Sequence, residues 1–497
     1  MAVPSLKRRA SGVLLHPTSL AGGGIGDLGE SAGRFADWLV AARQTWWQML
    51  PVGPTGFGNS PYSALSAFAG NPLLVSLDEL AKDGLLSAGE AAPAGDAPPT
   101  GRVRFPEVES FKLERLRRAF ESFDGNVPDG FEAFRAGHAD WLGDFALYRA
   151  LKDAHGGVAW PQWEEGVRSR RADALAQARE RLAHEVRFHE FVQFAFDRQW
   201  EALHARCRSR GLGLIGDVPF FVPHDSADVW THQELFDLGR RGRPRRVAGV
   251  PPDVYSKTGQ LWGFPLYRWD RMRERKFDWW LARFRAAFSR FDAVRIDHFI
   301  GFHRAWAVPG RARTALRGRW VLAPGGELFE NLRGQHGGLE LIAEDLGIVT
   351  PEVEALRDRY DLPGIRVLHF AFDGAPNNPH LPHRYPLRCL AATGTHDNDT
   401  SRGWFDGLED PWTRDRVRRY LSTDGREIHW DMIRSVMMSE ADTAILPTQD
   451  LLGLGSEARM NRPGLPTGNW EWRLRPGELI DDLQARVRGL TESSRRA

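Results

Sequence analysis

The run AVRIDHF (293–299) sets Arg295 and Asp297 among Val294, Ile296 and Phe299, a cation and an acid inside an apolar stretch. Successive side chains of a strand point to opposite faces, so the two charges share one face while Val294 and Ile296 share the other. Burying charge is costly unless the charge is paired or used. Three more apolar runs deliver acids at the same end. LGLIGDV reaches Asp217, LELIAEDLG reaches Glu344 and Asp345, and AATGTHDNDT reaches His396 and Asp397. Any one of these could be a structural ion pair or the cap of a following helix. Acids at the equivalent ends of all these runs read as a functional cluster.

Clustered carboxylates point to glycoside chemistry. A retaining enzyme uses one carboxylate as nucleophile and one carboxylic acid as proton donor, about 5–5.5 Å apart. Neighbouring acids raise one another's pKa and keep one of them protonated. A cation beside the nucleophile keeps that carboxylate ionised, a reason for Arg295 to flank Asp297. Periodicity alone does not choose between Glu344 and Asp345 as the donor.

Other chemistries compete. GIGDLG (24–29) fits G-x-G-x-x-G after the first run. A dinucleotide site then expects an acid about twenty residues on, at the end of the second strand, where the chain instead reads LPVGP. His298, His303 and His396 could join the acids as ligands in a barrel metallohydrolase, but no two of them stand at i, i+2 or i, i+4. A non-catalytic glucan-binding protein would use the 19 Trp and 28 Phe as stacking surfaces, yet has no need of strand-end acids. No metal and no organic cofactor is expected.

The acids require elements to hold them. Eight β-like runs recur: 12–19, 46–54, 212–222, 293–299, 339–347, 364–372, 390–397 and 443–452. Most are separated by helix-like stretches, and that alternation predicts a parallel sheet closed as a (β/α)8 TIM barrel. Barrel enzymes keep their chemistry at the C-terminal ends of the strands, where the acids fall. Thr350 is expected to N-cap a helix over 351–359, with Pro351 at its first position and Glu352 and Glu354 in its first turn. Residues 55–170 read as inserted, mainly helical subdomains on a barrel loop. Residues 1–54 are then the first part of the barrel and 171–497 the remainder. Within the insertion 111–123 predicts a helix with Leu113, Leu116, Phe120 and Phe123 on one face. A longer helical region runs from about 171 to 209 and stops near Gly211, and RRGRPRR (240–246) reads as a solvated turn.

With 497 residues, 42% of them hydrophobic, the chain can bury a large core. A formal charge of +1 exerts no general pull on nucleic acid or an anionic membrane. No run approaches 18 apolar residues, and GVLL is too short for a signal-peptide core. Two distant cysteines, Cys207 and Cys389, fit a reducing, cytoplasmic location.

Taken together, LLHPTSL, LPVGPTGFGNSPYSALSAFAGNP, IGDVPFFV, VAGVPPDVYSKTGQLWG, AVRIDHF, LIAEDLG, TGTHDNDT and LGLGSEARMNRPG resemble the amylomaltases, 4-alpha-glucanotransferases of the wider α-amylase superfamily. The match runs in order from about residue 13 to the end of the chain. The resemblance implies Asp297 as nucleophile, Glu344 as general acid/base and Asp397 as the third carboxylate, holding the distorted sugar. It implies sugar contacts from Ser60, Tyr62, Asp217, Gln260, Trp262, Arg295, His298, Asp345, Asp373, His396 and Asn461. It implies malto-oligosaccharides and α-1,4-glucans as substrates, for a monomer or weak homo-oligomer. Residues 250–269, with Tyr255, Trp262, Phe264 and Tyr267, would form an aromatic lid over the cleft. Phe57 stands where the family often has Tyr, Phe264 where Asn is expected, and SLAGGGIGDLG departs from the usual SLPG form.

Overall fold

A computed structural model describes residues 4–92, 101–252, 256–336 and 338–497. Among them are twelve strands: β1 (Ala10–Leu14), β2 (Trp46–Gln48), β3 (Gly213–Pro219), β4 (Arg246–Val250), β5 (Gln260–Pro265), β6 (Ala293–Asp297), β7 (Arg304–Pro309), β8 (Arg319–Leu322), β9 (Leu341–Ala343), β10 (Gly364–Val367), β11 (Cys389–Ala392) and β12 (Thr443–Pro447). Eight close into a barrel in the order β1-β12-β11-β10-β9-β6-β3-β2. Each lies within one of the eight apolar runs or overlaps it. All the barrel pairings are parallel.

The strands are apolar on both faces because both are buried. Ile215, Ala293, Ile342, Ile365, Leu390 and Ile445 form one cluster inside the barrel. Leu214, Val294, Ile296, Leu341 and Ala343 belong to the larger core between the strands and the surrounding helices. Inside, Trp46 is registered between Gly12 on β1 and Gly213 on β3. A Cβ at Gly12 would lie 2.4 Å from the Trp46 carbonyl oxygen, and one at Gly213 would lie 2.5 Å from the Trp46 ring. The indole fits against Gly213 because that residue has no side chain, and Gly12 leaves room for the Trp46 carbonyl and Cβ.

Between β2 and β3 the chain is mostly helical. The helix Phe105–Asp124 buries Phe105, Val108, Leu116, Phe120 and Phe123, but Leu113 is 38% exposed. Its place is taken by the stem of Lys112, whose Nζ reaches Asp27 Oδ2 at 3.0 Å and the carbonyls of Leu73 and Val75. An amphipathic cation with buried partners thus belongs to the core face, which an apolar periodicity cannot register. The helical region ahead of β3 is two helices, Ala172–Arg181 and Ala183–Ser209, and Gly211 follows with φ +75°. The helix Pro351–Arg359 carries Glu352 and Glu354 in its first turn. Thr350 occupies its N-cap position, but its side chain accepts no capping hydrogen bond. In 240–246, Arg240, Arg241, Arg243 and Arg245 are exposed, while Arg246 starts β4 and binds Asp237 at 2.6 Å.

A second, antiparallel sheet, β5-β4-β7-β8, stands on the loops that flank β6. Of the lid residues, Tyr255 lies outside the described residues.

Candidate active site

The position of each acid follows from strand parity. Ala293 points into the barrel, so Arg295 and Asp297 do as well. On β3, Ile215 and Asp217 share the inner face. β3 and β6 register Asp217 against Arg295, and Arg295 Nη1 donates to Asp217 Oδ2 at 2.6 Å. Its other branch, Nη2, donates to Asp297 Oδ1 at 3.0 Å. The guanidinium therefore bridges a buried acid and a half-buried one. Burial raises the Asp217 carboxyl, against the pull of Arg295. Tyr62 covers the same oxygen, its hydroxyl donating to Asp217 Oδ2 at 2.8 Å, and its ring stacks on His396 at 4.9 Å. Ser60 Oγ accepts from the Tyr62 amide and so anchors that short turn.

β6 and β9 register Ile296 against Ala343, which sets Asp297 and Glu344 side by side one residue further on. Two backbone amides hold Glu344: His298 N donates to Oε2 at 2.6 Å and Leu346 N to Oε1 at 3.1 Å. The His298 amide is aimed there by a left-handed turn, φ +52°, an uncommon conformation for a residue with a Cβ. Burial pushes the Glu344 carboxyl up to about 8, helped by Asp297 and opposed by Arg295 and the two amides. Burial thus favours the neutral acid at Glu344, while Asp297 beside it is paired with a guanidinium, the asymmetry that acid and nucleophile roles need.

His298 and His396 are also held neutral. Burial drives His298 down to about 4 and lowers His396, against the pull of Asp297 and Asp397. A neutral imidazole can donate one hydrogen bond to a hydroxyl without adding charge. Asp397 lies beyond β11, where Asn461 Nδ2 donates to its Oδ1 at 2.6 Å. Trp262 of β5 meets His298 edge-to-face at 4.8 Å, and its Nε1 donates to Gln260 Oε1 at 3.2 Å. Phe264 stacks on Phe221 at 6.3 Å, so the β4–β5 hairpin rests on the aromatic rim of β3 beside the acids. Tyr267 is no part of that covering. It is buried, with its hydroxyl donating to Phe220 O at 2.6 Å.

Two expected contacts do not join the cluster. Asp345 has the opposite parity to Glu344. Its carboxylate is taken by Arg357 at 2.5 Å, by the Ile365 amide at 2.7 Å and by Arg366 at 3.4 Å, so it ties β9 to β10 and a flanking helix. Asp373 is exposed, and its carboxylate accepts from the Ala375 amide within its own turn. Sequence reasoning missed His16 and Arg459. His16 sits buried at the end of β1, and burial and His396 drive it down to about 3. Arg459 donates to the Asp397 carbonyl at 2.6 Å. Both fall inside the motifs quoted above, but neither is an acid, so a pattern of strand-end carboxylates does not reveal them.

The competing motifs resolve differently. In GIGDLG, a Cβ at Gly26 would meet the Pro17 carbonyl at 2.1 Å, and Asp27 pairs with the buried Lys112. The loop is packed against its own chain. Among the described residues no group of three or more His, Cys, Asp or Glu is arranged to hold a metal ion. Among the described residues, too, no helix is long and apolar enough to cross a membrane.

A family model for 4-alpha-glucanotransferase matches residues 15–479. The chain is 48% identical to the 4-alpha-glucanotransferase of Thermus thermophilus over 98% of its length and 99% of the relative's. It is 46% identical to that of Synechocystis sp., over 98% of both chains. Among solved structures it is similar to the amylomaltase of Streptococcus agalactiae in complex with acarbose, with TM-score 0.95, 36% identity and coverage of 99% and 100%. The amylomaltase of Corynebacterium glutamicum shares the fold at 19% identity, with TM-score 0.76 and coverage of 99% of this chain and 76% of that one.

Proposed function

This chain belongs to the 4-alpha-glucanotransferase family, and from that premise we propose how its strand-end acids divide the work. Asp297 attacks the anomeric carbon of an α-1,4-glucan bound across the barrel mouth. Glu344 protonates the departing 4-oxygen as the C1–O4 bond breaks, leaving the donor segment esterified to Asp297. Glu344, now a base, takes the proton from the 4-hydroxyl of an acceptor glucan. That oxygen attacks C1 and the ester breaks, so the anomeric configuration is retained. Asp397 meets the hydroxyls of the distorted ring. Tyr62, Gln260, Trp262, His298, His396 and Asn461 bind the sugars on either side, and Arg295, itself fixed by Asp217, holds Asp297 in place. Malto-oligosaccharides are the substrates. Two buried free thiols, Cys207 and Cys389, support a reducing, cytoplasmic location.

The observation that carries this reading is the register of β6 on β9, which sets Glu344, held by two backbone amides, beside Asp297, held by Arg295. Transfer rather than hydrolysis is tested with pure maltotriose. Each transfer breaks one glycosidic bond and makes one, so a ladder of longer and shorter chains plus glucose forms while total reducing ends stay constant. A steady rise in reducing ends, with maltose and glucose as the only products, would show a hydrolase and overturn the reading.

A further inference from the structure

The third carboxylate is the least secured of the three. Asp297 stands on a strand and Glu344 receives two backbone amides, but Asp397 stands in the loop after β11 with its side chain about half exposed. The loop's two ends are tied down: Thr393 at its start and Ser401 at its end donate to the buried Asp450, with Oγ atoms at 2.5 and 2.7 Å from Oδ2. Ser456 Oγ donates to Asp399 at 2.7 Å. Asp397 itself is held by the segment that follows β12. Arg459 Nη2 donates to the Asp397 carbonyl at 2.6 Å and its Nε to the Asn461 carbonyl at 2.7 Å. The Asn461 side chain in turn donates to Asp397 Oδ1. These bonds close a ring of three residues, with one planar guanidinium fixing both backbones and the amide fixing the carboxylate.

We infer that Arg459 is the positioning residue for Asp397: it sets the angle of the carboxylate to the sugar without touching substrate. The inference rests on the role proposed above for Asp397. The arrangement suits arginine because the two carbonyls are approached by different edges of one rigid fork, and the guanidinium keeps its charge when half buried. Lysine has the charge but cannot reproduce the two directions.

An effect on the angle of Asp397 belongs to the transition state, where the ring distorts, more than to ground-state binding. In maltotriose disproportionation, Arg459→Gln and Arg459→Lys should each lower kcat about a hundredfold while KM moves less than about threefold. Both should melt within a few degrees of wild type. The decisive readout is the double variant. In an Asp397→Asn background, whose residual rate is followed on an α-maltosyl fluoride donor, Arg459→Gln should cost nothing further, because the group it positions is already disabled. Wild-type kcat in Arg459→Gln, a rise in KM with kcat intact, losses that multiply in the double variant, or failure of both single variants to fold would each overturn the inference. Near-normal activity in Asp397→Asn alone would instead strike at the proposed role of Asp397, a separate failure.

Discussion

At the scale of residues, the site rests on two carboxyls in different surroundings, Asp297 held by a guanidinium and Glu344 buried between two amides. Replacing Asp297 with Asn removes the proposed nucleophile but leaves an isosteric hydrogen-bonding group beside Arg295. Turnover should fall by several orders of magnitude with glucan binding nearly intact, and near-normal activity in that variant would remove Asp297 from the mechanism. Glu344 must be protonated for the first step. Since burial pushes it up to about 8, kcat/KM on maltotriose should hold through neutral pH and fall as pH rises past about 8. An α-glycosyl fluoride needs no proton for its leaving group, so glycosyl-enzyme formation from it should lack this alkaline limb. Glu344→Gln should likewise cripple action on maltotriose and spare much of the first step on the fluoride. Equal losses on both donors would make Glu344 merely structural. Sequence alone could not separate Glu344 from Asp345, because β9 is apolar on both faces and its parity is invisible until the barrel closes. The interior cluster through Ile342 then assigns the inner face to Glu344, and Arg357 gives Asp345 its own partner outside it.

At the scale of elements, the β4–β5 hairpin is proposed to govern what reaches the glycosyl-enzyme. Water outnumbers sugar in solution, and each tenfold preference for sugar needs about 1.4 kcal/mol of barrier difference. An aromatic cover beside His298 can supply that by excluding water and offering the acceptor an apolar face. Trp262→Ala opens the cover where it meets His298, so the share of hydrolysis, read as new reducing ends per bond broken, should rise severalfold. An unchanged share would separate Trp262 from water exclusion. The eight barrel strands were legible because each is short, apolar and bounded by turns. The second sheet was not: β7 and β8 mix charges with exposed and half-buried apolar residues, so neither period stands out. Tyr267 was misplaced for a related reason. Composition grouped it with the lid, whereas its hydroxyl finds a buried carbonyl under the end of β3.

At the scale of the whole molecule, the barrel is sealed at the end away from the acids. The closing pair is β1 with β12, which registers Ala10 against Thr443 across nearly the full chain. Bringing such distant segments together costs loop entropy that local contacts cannot repay. At the N-terminal end of this seam lies Arg496, fully buried. Its guanidinium donates to the carbonyls of Ala10, Met437, Ser439 and Asp442 at 2.8–3.1 Å. One side chain therefore binds the first strand, the approach to the last strand and the segment after the helix Asp481–Ser493. Conserved volume without the charge, as in Arg496→Met, would remove these four hydrogen bonds from a dry site at a cost of about 2–4 kcal/mol, although the Asp442, Ser439 and Met437 carbonyls keep bonds from the Ala10 amide and Arg9. For a chain of this length that corresponds to a fall of about 2–4 °C in apparent Tm at a fixed scan rate. Because the lost contacts lie at the far end of the barrel from Asp297, Glu344 and Asp397, kcat and the transfer-to-hydrolysis ratio at 25 °C should stay within about twofold of wild type. An unchanged Tm would show that the seam holds without Arg496. A large loss of kcat in the folded variant would show that closure and the geometry of the acids are coupled, contrary to the separation of stability and chemistry between the two ends.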